Sequence, residues 1–400
     1  MELIGIWPPL PITINLFGTP MPRDYDYTAI VHHHSRVCEI NLNHLTSSQL
    51  ERLVSAMQGR FPALNHLILG FYYQRGHSAP ALPDGFLDES ARHLQSLQLQ
   101  SIPFPALPKL LLSATDLVRL TLWDIPNSGY VSPGTMVTNL AVLANLKSLA
   151  IGFESRLSLL DQENQRPPMP TRTVFPALTR FEFKGASEYL DDLVARFDAP
   201  LLNSISVTFF HEPIFDIPQL AQFTRRTTRF QTLNEAHVDI GCYGVQVGSL
   251  PPTRPFDEKF GSSILCRKLS WRLPSLAQVL TLFIPSICMV EHLYIYGRRQ
   301  SVPSFFVDDT ENMQWLEILH PFTSVKNVYI PWIFSPDIAS ALQGLGGGER
   351  VRDVLPILES LFLEDIWPAG PVEEAIGKFV AARQLLGRPV AVSRWGKRCT

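Results

Sequence analysis

The six residues Leu94–Leu99, LQSLQL, contain the pattern that decides the fold. An apolar residue is followed by two free positions, a second apolar residue, one free position and a third apolar residue. Clear copies stand at 117–122, 146–151, 290–295, 325–330 and 358–363. The last two apolar positions are two residues apart, so both side chains point to the same face of a short strand.

Weaker copies extend this pattern through most of the chain. Together, twelve copies begin at Val37, Leu64, Leu94, Leu117, Leu146, Leu178, Leu202, Leu233, Cys266, Val290, Val325 and Leu358. Their mean spacing of about 29 residues is at the long end of the range for leucine-rich repeats. One such strand cannot bury its apolar face alone, whereas stacked neighbours build a continuous core. We therefore predict a curved α/β solenoid of the leucine-rich-repeat type, with parallel strands on the concave face, helices on the convex face and about 11–12 irregular repeats.

The intervals between the predicted strands carry helical signals. Thr46 and Gln49 stand three residues apart before an apolar run at helical spacing, which predicts a capping box at a helix start. Further helices are predicted at 188–197, 311–319 and 372–386, and another opens near Pro218. Gly244–Ser263, in contrast, is predicted to be a loop.

The repeat departs from the common leucine-rich pattern at one position. Many such repeats place Asn or Cys three residues after the strand pair, where the side chain bonds to the loop backbone. Here the position holds Leu45, Tyr72, Ile102, Ile125, Ala186, Ile333 and Ile366. We predict that apolar wedges replace the asparagine ladder.

Composition excludes several classes of protein. The 400 residues carry 34 Lys and Arg against 37 Asp and Glu, which lacks the basic excess of a nucleic-acid-binding protein. The longest apolar run, Val279–Val290, is interrupted by Pro285 and is too short to cross a bilayer. The five cysteines are odd in number and form no CxxC pair, which argues against a disulfide framework. We expect a monomer without cofactors in the cytoplasm or nucleus.

Several longer stretches resemble the F-box proteins of mushroom-forming fungi. They include SIPFPALP at 101–108, EHLYIY at 291–296, QWLE at 314–317, FVAARQ at 379–384 and VSRW at 392–395. The resemblance covers the repeat region and implies the target-recognition part of a cullin-type ubiquitin ligase subunit. In that family an F-box of about forty residues binds a Skp-type adaptor. This chain shows no F-box, so we expect the adaptor only if an upstream F-box exists.

We predict that residues 1–400 form a single solenoid domain, which 372–395 closes as a C-terminal cap. A solenoid needs such caps because an uncovered terminal repeat exposes its core face.

Residues that could perform chemistry form no convincing constellation. His32, His33 and His34 are adjacent, and neighbouring residues of a regular strand cannot converge on one metal ion. The glycines at 346–348 lack the Lys-Ser/Thr ending of a phosphate loop. Neither the cysteines nor the carboxylate pairs at 191–192 and 308–309 suggest catalysis, since adjacent carboxylates on a helix point apart. We therefore predict no catalytic, cofactor or metal site.

The position between the two buried residues of each strand offers the more informative set. It reads Asn41, Ile68, Gln98, Thr121, Ala150, Glu182, Ser206, His237, Ser270, Tyr294, Tyr329 and Phe362, and it becomes aromatic toward the C-terminus. Rigid aromatic side chains on a sheet are good anchors for a protein partner. The predicted partner-binding residues are Tyr294, Tyr296, Tyr329, Phe362, His292 and Asn327. Coverage of these residues by loops or by the cap is the alternative.

Three functions follow from these observations. The first is a non-catalytic protein-interaction solenoid that recognises targets for a ubiquitin ligase. The second is a freestanding repeat scaffold or decoy without any link to ubiquitin ligation. The third, an enzyme built on the repeats, has no residue constellation behind it.

Overall fold

The computed structural model of the chain describes residues 10–16, 33–72, 79–83, 85–87, 91–104, 107–154, 171–209, 217–227, 234–241, 244–248, 261–266, 289–297, 311–345, 353–364 and 370–395. They fall into two compact units, an N-terminal unit within residues 1–202 and a C-terminal unit within 203–400.

Both units contain strands and helices. The N-terminal unit contains strands β1 Ile12–Leu16, β2 Val37–Leu45, β3 His66–Phe71, β4 Ser96–Gln100, β5 Arg119–Ile125, β6 Ser148–Phe153, β7 Thr173–Val174, β8 Arg180–Gly185 and β9 Phe197–Asp198, and helices α1 Ser47–Ala56, α2 Leu107–Ser113, α3 Pro133–Leu140 and α4 Ser187–Ala195. The C-terminal unit contains strands β10 Ser204–Phe209, β11 Glu235–Gly241, β12 Gly244–Gly248, β13 Gly261–Cys266, β14 His292–Gly297, β15 Asn327–Ile330, β16 Ser360–Glu364 and β17 Ala391–Trp395, and helices α5 Pro218–Arg226, α6 Glu311–Leu319, α7 Ser335–Gly344 and α8 Pro371–Leu385.

The strands of the N-terminal unit stack in chain order as a parallel sheet, β1-β2-β3-β4-β5-β6-β8. Parallel neighbours with a helix between them are the α/β repeat that the sequence predicts. The two apolar positions of each repeat form buried columns across the sheet. One column is Ile40, Leu67, Leu97, Leu120, Leu149 and Phe181, and the other is Leu42, Leu69, Leu99, Leu122, Ile151 and Phe183. Eleven of the twelve predicted strands are present at the predicted register, which confirms the leucine-rich-repeat-like fold.

Apolar wedges replace the asparagine ladder at three of the predicted positions, and the backbone explains how. Ala186 and Ile333 are only partly buried, and Ile366 lies outside the described residues. His44, Ser101 and Asp124 adopt left-handed backbone angles, with φ of 60°, 57° and 51°. Each kink turns the following apolar residue inward, so that Leu45, Ile102 and Ile125 are buried. Left-handed backbone is unfavourable for residues other than glycine, and the burial of the wedge offsets that cost.

One predicted wedge, Tyr72, is wrong, since its side chain is half exposed. Strand β2 contains a bulge between Leu42 and Leu45, whereas β3 continues without one. Leu45 therefore pairs with Phe71. Phe71 is buried and takes the wedge position one residue earlier.

The predicted capping box starts α1. The backbone amide of Thr46 donates to Gln49 Oε1 at 2.9 Å, and the Thr46 hydroxyl donates to the same oxygen at 2.9 Å. Gln49 is buried, and its amide oxygen satisfies the Thr46 amide at the start of the helix.

The C-terminal unit contains a departure from regular stacking, because its strand order is β10-β13-β12-β11-β14-β15-β16-β17. Strand β12 is antiparallel to both β11 and β13. The predicted loop Gly244–Ser263 is therefore wrong over β12 and the start of β13. The strand predicted for the copy that begins at Cys266 lies outside the described residues, which end at Cys266 and resume at Met289.

From β14 to β17 the regular parallel stack returns, and one helix precedes each of β15, β16 and β17. Helices α6, α7 and α8 bury residues such as Trp315, Leu342 and Phe379 against strand residues that include Leu293 and Leu361. The predicted cap at 372–395 is α8 followed by β17. None of the helices in the described part of the chain is long and apolar enough to cross a membrane.

Candidate functional site

The parallel register places one aromatic side chain beside the next on the outer face of the C-terminal sheet. We call His237, Tyr294, Tyr329 and Phe362 the aromatic row. His237 pairs with Tyr294, Tyr294 with Tyr329, and Tyr329 with Phe362. Their neighbours along each strand, such as Leu293 and Leu361, point to the opposite face and are fully buried. The aromatic row therefore results directly from strand alternation.

The four rings stack almost parallel to one another. Successive ring centroids lie 4.7, 4.2 and 4.5 Å apart, with interplanar angles of 5°, 9° and 8°. These distances are close to the spacing of neighbouring strands, which is about 4.8 Å. Because each ring face is packed on the next, the side chains are held in fixed orientations.

Tyr296 extends the site at its β11 end. Its hydroxyl lies 3.0 Å from His237 Nδ1, and His237 Nε2 lies 3.4 Å from a Glu235 carboxylate oxygen. The tautomer with its proton on Nε2 satisfies both contacts, since the tyrosine hydroxyl then donates to Nδ1. His237 is 3% exposed, so this chain of contacts fixes a buried polar ring.

Tyr294 and Tyr296 keep their protons at neutral pH. Burial, followed by the nearby Glu235 and Asp239 carboxylates, raises the pKa of Tyr296 to about 12. Burial and the neighbouring Tyr329 also raise the pKa of Tyr294 far above its ordinary value. Protonated phenols are suited to hydrogen bonding and packing, and they are poor general bases.

His292 and Asn327 form a polar row beside the aromatic one. They pair in register, and Asn327 Nδ2 lies 3.3 Å from His292 Nδ1. All six predicted partner-binding residues thus lie on one outer face, and each is partly buried. The structure brings them together, while their role in binding stays a prediction.

Sequence reasoning left two members of this face out of the predicted site. His237 completes the aromatic row. It occupies the outer position between the two buried residues of its repeat, and that position was the signal that could have placed it in the site. Trp395 approaches Tyr329 edge-on, with ring centroids 5.4 Å apart and an angle of 72°. Because 372–395 was predicted to be a cap, Trp395 was not expected in the sheet, yet it is the last residue of β17.

The outer face of the N-terminal unit is different, because some of its polar side chains are paired with one another. Asp124 accepts hydrogen bonds from Lys184 Nζ and from Gln100 Nε2. The indole of Trp123 lies across Gly152, where a methyl group would overlap it. This face therefore lacks a ring stack, and it serves as an internal control for the aromatic one.

The other residues considered in the sequence form no alternative site in the described regions. No group of three metal-binding side chains is found there. His34 packs edge-on against Phe61 at 6.1 Å. Asp192 holds Arg196 through three contacts of 2.8–3.0 Å, which is a structural ion pair. Cys38 is partly buried, and its thiol donates to the Ile12 carbonyl. His32, Cys242, Cys288, Cys399 and the stretches 308–309 and 346–348 lie outside the described residues.

A cavity of about 340 Å³ lies between α8 and the last two strands. Its apolar wall includes Leu363, Ile376 and Val392, and charged side chains such as Arg394 line it as well. Val392 is 44% exposed although its register neighbour Leu361 is fully buried. The cavity thus marks the place where the described repeat stack ends.

Comparison with known proteins adds one structural relative. No family model and no curated protein matches the chain. Among solved structures, the chain is similar to the leucine-rich repeat-containing protein LegL7 from Legionella pneumophila. That match has 12% sequence identity, covers 92% of this chain and 97% of that chain, and has a TM-score of 0.32. The fold assignment rests on the strand pairing and burial described above.

Proposed function

We propose that this chain is a non-catalytic protein-interaction scaffold whose partner binds the aromatic outer face of the C-terminal unit. The observation that carries the proposal is the aromatic row, a set of in-register, stacked rings of which Tyr294, Tyr329 and Phe362 are partly exposed. Aromatic side chains dominate binding energy at protein interfaces. Their stacking fixes them before binding, so little side-chain entropy is lost when a partner docks.

Protonated phenols and fixed, packed side chains favour recognition over catalysis at this face. The face also has the scale of a binding surface. Strands β11 and β14–β17 present fourteen outer side chains, whereas a typical interface uses about 20–30 residues on each side. A partner that contacts this face and its adjoining loops would bury an area of ordinary size.

Target recognition for a cullin-type ubiquitin ligase is the specific form of this function. Its support is the resemblance of the repeat region to fungal F-box proteins. A freestanding scaffold or decoy with no link to ubiquitin ligation is the alternative. The two differ in one measurable property, which is binding to a Skp-type adaptor by the longest natural form of the protein.

The experiment uses a triple variant in which Tyr294, Tyr329 and Phe362 are changed to Ala. Proteins recovered with the wild-type chain by quantitative cross-linking should be lost from this variant. A matched control changes Gln98 and Thr121 to Ala on the outer face of the N-terminal unit and should retain them. Unchanged recovery with the triple variant, together with unchanged circular dichroism, would refute the proposed binding face.

A second variant controls for the possibility that the triple alanine variant loses binding because it fails to fold. Tyr294→Phe with Tyr329→Phe keeps every ring of the stack and removes two hydroxyl groups. It should fold normally and retain most of the binding, because the ring faces and edges supply the apolar contact.

A further inference from the structure

The aromatic row stops at Phe362, and the next strand leaves a gap. Ser393 of β17 pairs in register with Phe362, and its side chain is exposed. At each earlier position of the row the neighbouring strand supplies a ring, 4.2–4.7 Å away. In the described chain, the face of Phe362 that turns away from Tyr329 therefore looks over a hydroxymethyl group in place of a ring.

Two side chains border this gap. Glu364 lies two residues beyond Phe362 on the same face and pairs in register with Trp395. Trp395 leans from β17 to Tyr329, where it makes its edge-on contact. The Glu364 carboxylate also accepts a hydrogen bond from the Trp332 backbone amide at 3.2 Å. This contact fixes a negative charge on β16, two residues beyond Phe362.

The charge of the whole outer face points to a cationic occupant. Its outer residues are Glu235, His237, Asp239, His292, Tyr294, Tyr296, Asn327, Tyr329, Ser360, Phe362, Glu364, Ala391, Ser393 and Trp395. Three of these fourteen are carboxylates, and none is Lys or Arg. Carboxylates also contribute to the high pKa of both Tyr294 and Tyr296. These carboxylates make the electrostatic potential at the rings more negative.

We propose that the gap over Ser393 receives an arginine side chain of the protein partner, stacked on Phe362 and paired with Glu364. A guanidinium is flat and fits a space one ring thick, and it offers paired donors to a carboxylate. An aromatic face attracts such a cation. A lysine ammonium has the charge without the planar shape. This inference rests on the proposed function and specifies the chemistry of its partner.

The test uses fluorescent nonapeptides in which Arg alternates with Gly and Ser, measured by anisotropy against the full chain. Matched peptides replace Arg by Lys or by citrulline, which keeps the planar shape and lacks the charge. We expect the Arg peptide to bind about fivefold more tightly than the Lys peptide and at least about tenfold more tightly than the citrulline peptide. Equal affinity of the Arg and Lys peptides would overturn the stacking.

Variants of the chain locate the binding. Ser393→Phe continues the aromatic row into the gap and should weaken the Arg peptide by about tenfold or more. Glu364→Gln keeps an acceptor for the Trp332 amide, removes the charge and should weaken it by about fivefold. Thr121→Phe, on the N-terminal outer face, is the matched control and should change nothing.

The outcomes separate this inference from the proposed function. Unchanged peptide affinity in Ser393→Phe would overturn the arginine gap, while loss of partners in the triple alanine variant would still support the aromatic face. Retention of partners in the triple variant would refute the proposed function itself, whatever the peptides do.

Discussion

Replacing Gly152 by Ala tests the packing of the N-terminal outer face most directly. A methyl group built at Gly152 would lie 1.9 Å from Trp123 Cε3 and 2.1 Å from Cζ3. Carbon atoms pack at about 3.5–4.0 Å, so the indole must move by about 1.5 Å or more. The backbone of β6 cannot yield easily, because it is paired to β5 and β8 on either side.

We expect Gly152→Ala to lower the free energy of unfolding by about 1–3 kcal/mol, as for other overpacked sites. The assay is urea unfolding followed by circular dichroism, with the shift in midpoint read at constant slope. Gly377→Ala is the matched control. A methyl group there meets nothing within 4 Å, and alanine in the middle of α8 should stabilise by up to about 1 kcal/mol.

A double-mutant cycle attributes the loss to the indole. In a Trp123→Ala background the methyl group has room, and Gly152→Ala should then cost less by about 1 kcal/mol or more. An equal cost in both backgrounds would show that the clash with Trp123 is not the cause.

The remaining predictions concern buried hydroxyls, caps and strained backbone. Tyr189→Phe should destabilise by about 1–2 kcal/mol in urea unfolding, because the buried Tyr189 hydroxyl donates to the Val131 carbonyl at 2.9 Å. Thr46→Ala should cost about 1 kcal/mol by removing a donor to Gln49 from the capping box of α1, and should lower the thermal midpoint. Ser101→Gly should be neutral or stabilising while Ser101→Val destabilises by about 1–2 kcal/mol, since φ is 57° there. The contribution of the Tyr296 proton to the free energy of unfolding should be fully present below pH 10 and should be lost as the pH rises to 12, because the unfolded chain releases a phenolic proton that the folded chain keeps. Tyr296→Phe should make this loss of stability smaller, as measured by urea midpoints at pH 9 and 11.

The sequence predicted the repeats well because each depends on a local pattern. A residue pair such as Leu97 and Leu99 must face the core in any register that buries it. The outer position between the pair follows without further information. The aromatic row could therefore be predicted from alternation alone, apart from the inclusion of His237 in the site.

Features that depend on contacts between distant segments could not be predicted in this way. The antiparallel strand β12 contains glycines and lies beside prolines, which made a loop the reasonable expectation. The left-handed backbone of His44 and Asp124 accompanies the burial of the wedge that follows, and it is uncommon for any residue other than glycine. The contact of Trp395 with Tyr329 depends on a rotamer, and no sequence pattern specifies it.

The aromatic row also gives the C-terminal unit a spectroscopic signal that depends on the register of its strands. Tyrosine rings stacked 4.2 Å apart couple their electronic transitions, and that coupling gives a near-ultraviolet circular dichroism signal. A slip of β15 by one residue would move Tyr329 out of the stack and put Val328 or Ile330 in its place. The coupling signal would then vanish even if the helical content stayed constant. The register of these strands can therefore be followed optically in the unmodified protein, without any attached label.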